Sequence, residues 1–171
     1  MISERHDYQV GDVLLYNNMG DGFLRWAFGE LVQHTTSSKW IHAALYLGDS
    51  EKFGPIVAES TASGFLVKVQ ENLGHKQLRY KDGLSKGQKE QIIYNALSLL
   101  GYEYGYMDLI KILLYILTKQ SIYNATKNKL TCAEAVARVY QKMGIELVKK
   151  DDYDLIYPSD LTVSEQLIDI S

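Results

Sequence analysis

One cysteine, Cys132, stands in the string K-L-T-C-A-E-A-V-A-R-V-Y, whose spacing predicts the start of a helix. Thr131 and Glu134 form the T-x-x-E pattern of a capping box, in which hydroxyl and carboxylate each satisfy a backbone N–H that the first turn leaves free. Cys132 is then the first helical residue. The partial positive charge of a helix terminus favours the thiolate, the form that attacks carbonyl carbon. Such a nucleophile needs a base, and usually a third group that fixes the base's tautomer. His42 is the leading base, because it interrupts the apolar string W-I-H-A-A-L-Y-L, where a polar ring is costly unless it faces a partner or a cleft. Glu59 is the matching anomaly in V-A-E-S, an acid among residues that read as core. Neighbouring strands with both residues turned inward would bring imidazole and carboxylate within hydrogen-bonding reach.

Each residue also has a purely structural reading. Cys132, Val136, Val139 and Met143 follow one apolar helix face, and free cysteine is commonly buried as a small hydrophobe. A backbone carbonyl partner would account for His42, and an edge strand facing water for Glu59. His6, His34 and His75 lie in polar or terminal settings and read as surface residues. A zinc site of His34, His42 and Glu59 lacks any supporting spacing, so no metal site is expected. Neither a P-loop nor G-x-G-x-x-G occurs, which disfavours a nucleotide enzyme, and no cofactor is expected. Asn124-Ala125-Thr126 fits the glycosylation pattern by chance.

The elements that must position these residues are short. Residues 13–16 form a compact apolar run after Gly11-Asp12 and predict a buried strand. Residues 40–47 predict a second strand, stopped by a turn at Gly48-Asp49-Ser50. Residues 56–60 and 65–69 predict two strands joined in a hairpin through Ala62-Ser63-Gly64, and residues 78–80 a further short strand. Helical periodicity marks residues 22–34 and residues 88–100, the latter stopped by Gly101, with Ile92, Ile93, Ala96, Leu99 and Leu100 on the apolar side. Residues 109–118 predict a buried helix, too short to span a bilayer, with a lid or membrane-facing patch as the alternative. The cysteine helix runs over residues 131–143 with Gly144 as its stop, and Tyr157-Pro158-Ser159-Asp160-Leu161 opens a short terminal helix. Strands first and helices later indicate an α+β fold on a mainly antiparallel sheet packed against helices.

With 171 residues, 46% of them hydrophobic, the chain can bury one sizeable core and is expected to form one domain over residues 1–171. A net charge of -3 and scattered lysines give no basic stripe, which argues against nucleic acid as a partner. A single cysteine excludes an internal disulfide framework. The N-terminal string M-I-S-E-R-H-D-Y-Q-V lacks the apolar centre of a secretory signal, so a cytoplasmic location is expected, or a secreted one if a leader has been removed.

Taken in order, G-D-V-L-L-Y, I-H-A-A-L-Y-L-G-D, A-E-S with G-F-L-V-K-V, L-G-Y-E-Y-G-Y, T-C-A-E-A-V-A-R-V-Y and Y-P-S-D-L resemble the circularly permuted branch of the NlpC-type papain-like superfamily, particularly its YiiX-like cysteine peptidases. The resemblance covers most of the chain. It implies a permuted papain-like fold in which the histidine strand precedes the cysteine helix, with Cys132 as nucleophile, His42 as general base and Glu59 as the orienting group. It further implies Tyr104 as a site-lining residue, from a G-x-P-Y segment that here reads Gly101-Tyr102-Glu103-Tyr104, with Thr131 and Ala133 flanking the nucleophile. C-A-E replaces the usual C-S-G or C-S-E after the cysteine. The implied activity is hydrolysis of an amide bond, as in peptidoglycan stem peptides, through a thioester, with a peptide or small amide as partner. Two alternatives stay open: acyl transfer or lipid deacylation by the same three residues, and a non-catalytic peptide-binding module in which Cys132 is packed and inert.

Overall fold

Short apolar runs bounded by glycine and polar turns fold as strands here because each buries one or both faces within a few residues. The computed structural model describes residues 7–18, 38–61, 63–104, 129–149 and 156–171. Strand β1 is Val13–Tyr16, β2 His42–Ser50, β3 Gly54–Thr61, β4 Gly64–Val69 and β5 Lys76–Tyr80. Helix α1 (Lys86–Leu97) follows, then the two-residue strands β6 (Glu103–Tyr104) and β7 (Lys129–Leu130), helix α2 (Cys132–Gln141), helix α3 (Pro158–Thr162) and β8 (Leu167–Asp169). Six strands make one antiparallel sheet in the order β4-β3-β2-β1-β5-β8, while β6 and β7 pair in parallel. The architecture is α+β, as the strand-then-helix pattern predicts. The expected helices at residues 22–34 and 109–118, the Asn124 sequon and His6 and His34 lie outside the described residues.

The strand period of two sorts side chains onto two faces. Val13, Leu15, Ala43, Leu45 and Ala58 join Ile92, Ala96, Val136, Val139 and Leu161 in the main core, between the sheet and the helices. Leu14, Tyr16, Ala44, Tyr46 and Val57 form a second core on the opposite face. Burial on both faces explains why the strand at residues 13–16 is continuously apolar. Helix α2 lies over β2 and β3, and α1 packs on α2, where Asn95 Nδ2 donates to the Val139 carbonyl at 3.1 Å. Tyr140 is fully buried and donates its hydroxyl proton to the Gly11 carbonyl. Gly11 itself has φ +99°, a backbone conformation that residues with a Cβ rarely adopt, which reserves the position for glycine.

Several boundaries differ from expectation. Gly48-Asp49-Ser50 is not a turn but the end of β2, where the register slips between Tyr46 and Gly48 and glycine at φ +125° takes up the bulge. Trp40 and Ile41 precede β2 and are buried without belonging to it. Helix α1 starts at Lys86, earlier than its apolar spacing suggests, because Ser85 and Gln88 close a capping box. Leu100 lies past its end and is 50% exposed, so it is not on the packed face. Strands β6, β7 and β8 are too short for periodicity to reveal, and β8 covers the open edge of β5, where Lys76 Nζ pairs with Asp169 Oδ2 at 2.7 Å. Among the described residues, no helix is long and apolar enough to cross a membrane.

Candidate active site

Three adjacent strands and one helix terminus build the site. Glu59 in β3 pairs with Ala44 in β2, so His42, two residues before Ala44, is its diagonal neighbour on the same face. His42 Nε2 lies 2.9 Å from Glu59 Oε2, and the two residues are 6% and 5% exposed. A carboxylate only accepts, so Nε2 carries the proton. The ring's other nitrogen, Nδ1, is buried and closes no well-formed hydrogen bond. The Cys132 thiol stands beside the ring, acting on it both as a charge and as a hydrogen-bonding group. The second oxygen of the acid, Glu59 Oε1, accepts from Lys68 Nζ at 2.6 Å.

Electrostatics favour the charged forms of the histidine and the acid. Burial alone would lower the His42 pKa, but Cys132 and then Glu59 outweigh it and hold the ring at about 10. Burial would likewise raise Glu59, yet His42 first and Lys68 second hold its carboxyl at about 2. Tyr16, directly opposite His42 across β1 and β2, lies with its ring centroid 5.7 Å from the imidazole and donates its hydroxyl to the Asn72 carbonyl at 3.3 Å. Burial and then the Glu59 charge push that phenol well above its ordinary value.

The position of Cys132 follows from the predicted cap. Thr131 is the N-cap; its hydroxyl accepts from Glu134 N at 3.3 Å, and Glu134 Oε2 accepts from Thr131 N at 3.3 Å. Cys132 is therefore the first helical residue, and it is buried. The segment leading to it is tied to the acid strand by Ser60, whose hydroxyl donates to the Leu130 carbonyl at 2.7 Å. It is tied to the sheet edge as well, since β7 pairs with β6 and Phe65 N donates to the carbonyl of Tyr102, just before β6, at 2.9 Å. A Cβ on Gly64 would come within 2.8 Å of that carbonyl, and φ there is +98°, which reserves the position for glycine.

Among the residues singled out from sequence, Cys132, His42, Glu59 and Thr131 are therefore brought to one place. Tyr104 pairs through its backbone with Leu130, just before helix α2. Ala133 is wholly buried, with its methyl in the main core. His75 is exposed, as expected. Sequence reasoning missed Lys68, Ser60 and Tyr16. Lys68 was legible: Thr61 pairs with Gly64 across the hairpin, and counting outward from that turn places Lys68 on the face of Glu59. Ser60 and Tyr16 carry no such signal, because each is defined by a partner remote in sequence. Among the described residues no group of three or more His, Cys, Asp or Glu side chains converges to hold a metal ion.

No family profile matches this chain, and neither does any curated protein. Among solved structures it is similar to the crystal structure of the metalloprotein YiiX from Escherichia coli O157:H7, of DUF1105, with a TM-score of 0.68 and 16% sequence identity. The alignment covers 95% of this chain and 96% of YiiX. The chain thus shares the fold of YiiX over nearly its whole length.

Proposed function

We propose that this chain is a cysteine hydrolase of permuted papain-like fold, cleaving an amide bond in a peptide or small amide substrate, with peptidoglycan stem peptides as the first class to test. The observation that carries this reading is the buried His42–Glu59 pair, 2.9 Å apart, with the Cys132 thiol acting on the same imidazole. Burying a histidine and a carboxylate is expensive, and replacing such a pair by packed apolar side chains is often neutral or stabilising. A pair of this kind beside a thiol at a helix N-terminus fits nucleophilic chemistry better than it fits packing.

In the proposed reaction the Cys132 sulfur attacks the carbonyl carbon while its proton resides on His42 Nδ1. The oxyanion is held by backbone N–H groups of the first turn of α2, among them that of Ala133; Thr131 already satisfies the Glu134 N–H. Protonated His42 then donates to the leaving amine, giving a thioester. Water, deprotonated by the same ring, releases the acid and restores the thiol. Glu59 keeps the ring in one tautomer throughout and compensates its charge.

YiiX is described as a metalloprotein, but the donors here do not fit a shared ion. Glu59 meets the ring at Nε2, and its other oxygen is taken by Lys68. Both carboxylate oxygens are therefore already committed to protein partners.

The test is a panel of stem-peptide amides, γ-linked dipeptides and acyl esters, assayed with the native chain, Cys132→Ser and His42→Ala. Amide turnover lost in both variants supports the proposal. Turnover confined to acyl esters would replace it with lipid deacylation, and amide turnover surviving in both variants would remove Cys132 and His42 from the chemistry.

A further inference from the structure

Both oxygens of Glu59 are occupied, and only one of them by the histidine. Lys68 Nζ lies 2.6 Å from Oε1, while His42 Nε2 lies 2.9 Å from Oε2. Register explains the arrangement. Lys68 faces Val57 across β3 and β4, so it is diagonal to Glu59, which is itself diagonal to His42. The three side chains form one oblique line over three strands, each step within reach of a long side chain. The Lys68 side chain is 40% exposed and Glu59 5%, so the lysine stem bridges from the rim of the sheet to a buried charge.

A carboxylate with one partner turns freely about its last torsion and offers either oxygen to the ring. Pinning Oε1 removes that freedom. Resting on the reading of Cys132 and His42 as nucleophile and base, we infer that Lys68 is a positioning residue of the site, acting through Glu59 to fix the oxygen that orients His42. The other groups acting on Glu59 are His42 from β2 and the Tyr16 phenol from β1. Among the described residues, Lys68 is thus the cation in this set that takes no part in proton transfer.

The experiment is an NMR titration of the Glu59 side-chain carboxyl carbon, with observation of the His42 Nε2 proton, in the native chain, Lys68→Met and Lys68→Arg. In Lys68→Met the Glu59 midpoint is expected to rise by about one pH unit, a tenfold change in proton affinity. The Nε2 proton is expected to broaden through exchange with water. Lys68→Arg, with a fixed positive fork at the exposed rim, is expected to restore both signals. If Lys68→Met does not fold, Lys68→Gln keeps a donor without the charge and is expected to give the same rise. Unchanged titration and an unchanged Nε2 proton in the uncharged variant would overturn the inference. So would a change that Lys68→Arg fails to reverse. These signals do not depend on catalysis, so failure of the hydrolase reading appears separately, as Cys132 alkylation that is indifferent to His42→Ala.

Discussion

Asp12, just before β1, and Glu59, in β3, are both buried carboxylates, and their partners set them apart. Asp12, 1% exposed, is held by Arg79 Nε at 2.8 Å and Arg79 Nη2 at 2.8 Å, by Gln77 Nε2 at 2.6 Å and by Gln9 N at 2.7 Å. A guanidinium, an amide and a backbone N–H keep their protons at any physiological pH, and Asp12 raises the Arg79 pKa further. That cluster ties residues 7–12 to β5 and has nothing to move. Glu59 is also buried, but one of its partners is an imidazole on which a thiol acts as well. Burial of an acid is therefore no mark of chemistry; a titratable partner leading onward to a nucleophile is.

The comparison breaks most sharply in turnover. Cys132→Ser and His42→Ala are each expected to lower kcat roughly 10^3-fold or more, Cys132→Ser with little change in urea midpoint. Asp12→Ala should do the reverse, costing about 3–5 kcal/mol in urea unfolding because Arg79 loses its buried partner, while the folded fraction retains its turnover. A catalytic defect in Asp12→Ala without a stability loss would erase the distinction.

Glu59→Gln keeps the shape and removes the charge, and should lower kcat by roughly 10^2 to 10^4-fold. Its stability effect depends on pH with a definite sign. The Glu59 pKa is lowered from 4.5 to about 2, so its contribution to stability is present above 4.5 and lost as pH falls towards about 2. The difference in unfolding free energy between the native chain and Glu59→Gln should narrow over that interval. His42 is raised from 6.5 to about 10, so its contribution is complete below 6.5 and disappears as pH rises through about 10. The smallest expected effect is that of Thr131→Ala, which removes the hydroxyl of the cap and should cost about 1 kcal/mol, measured by thermal melting.

How much of this was legible in the sequence follows from the range of each interaction. The cap at Thr131 and Glu134 spans three residues, so pattern alone locates Cys132 at the first helical position. His42 and Glu59 show as polar intrusions in apolar strings, because an unpartnered polar group there would be costly. Their meeting needs the β2 and β3 register, which the bulge between Tyr46 and Gly48 hides from simple counting. The bond from Ser60 to the Leu130 carbonyl joins residues 70 apart and leaves no local trace. Strand β8 was missed for a related reason: three residues are too few to show a period, and what makes them a strand is the waiting edge of β5.

The most direct measurement is the rate of Cys132 alkylation by iodoacetamide across pH, in the native chain and in His42→Ala. With the thiol beside the imidazole, the native protein should react readily without unfolding, and His42→Ala should slow that reaction. A cysteine that reacts only on unfolding, equally in both proteins, would contradict the assignment and leave Cys132 as a packed core residue.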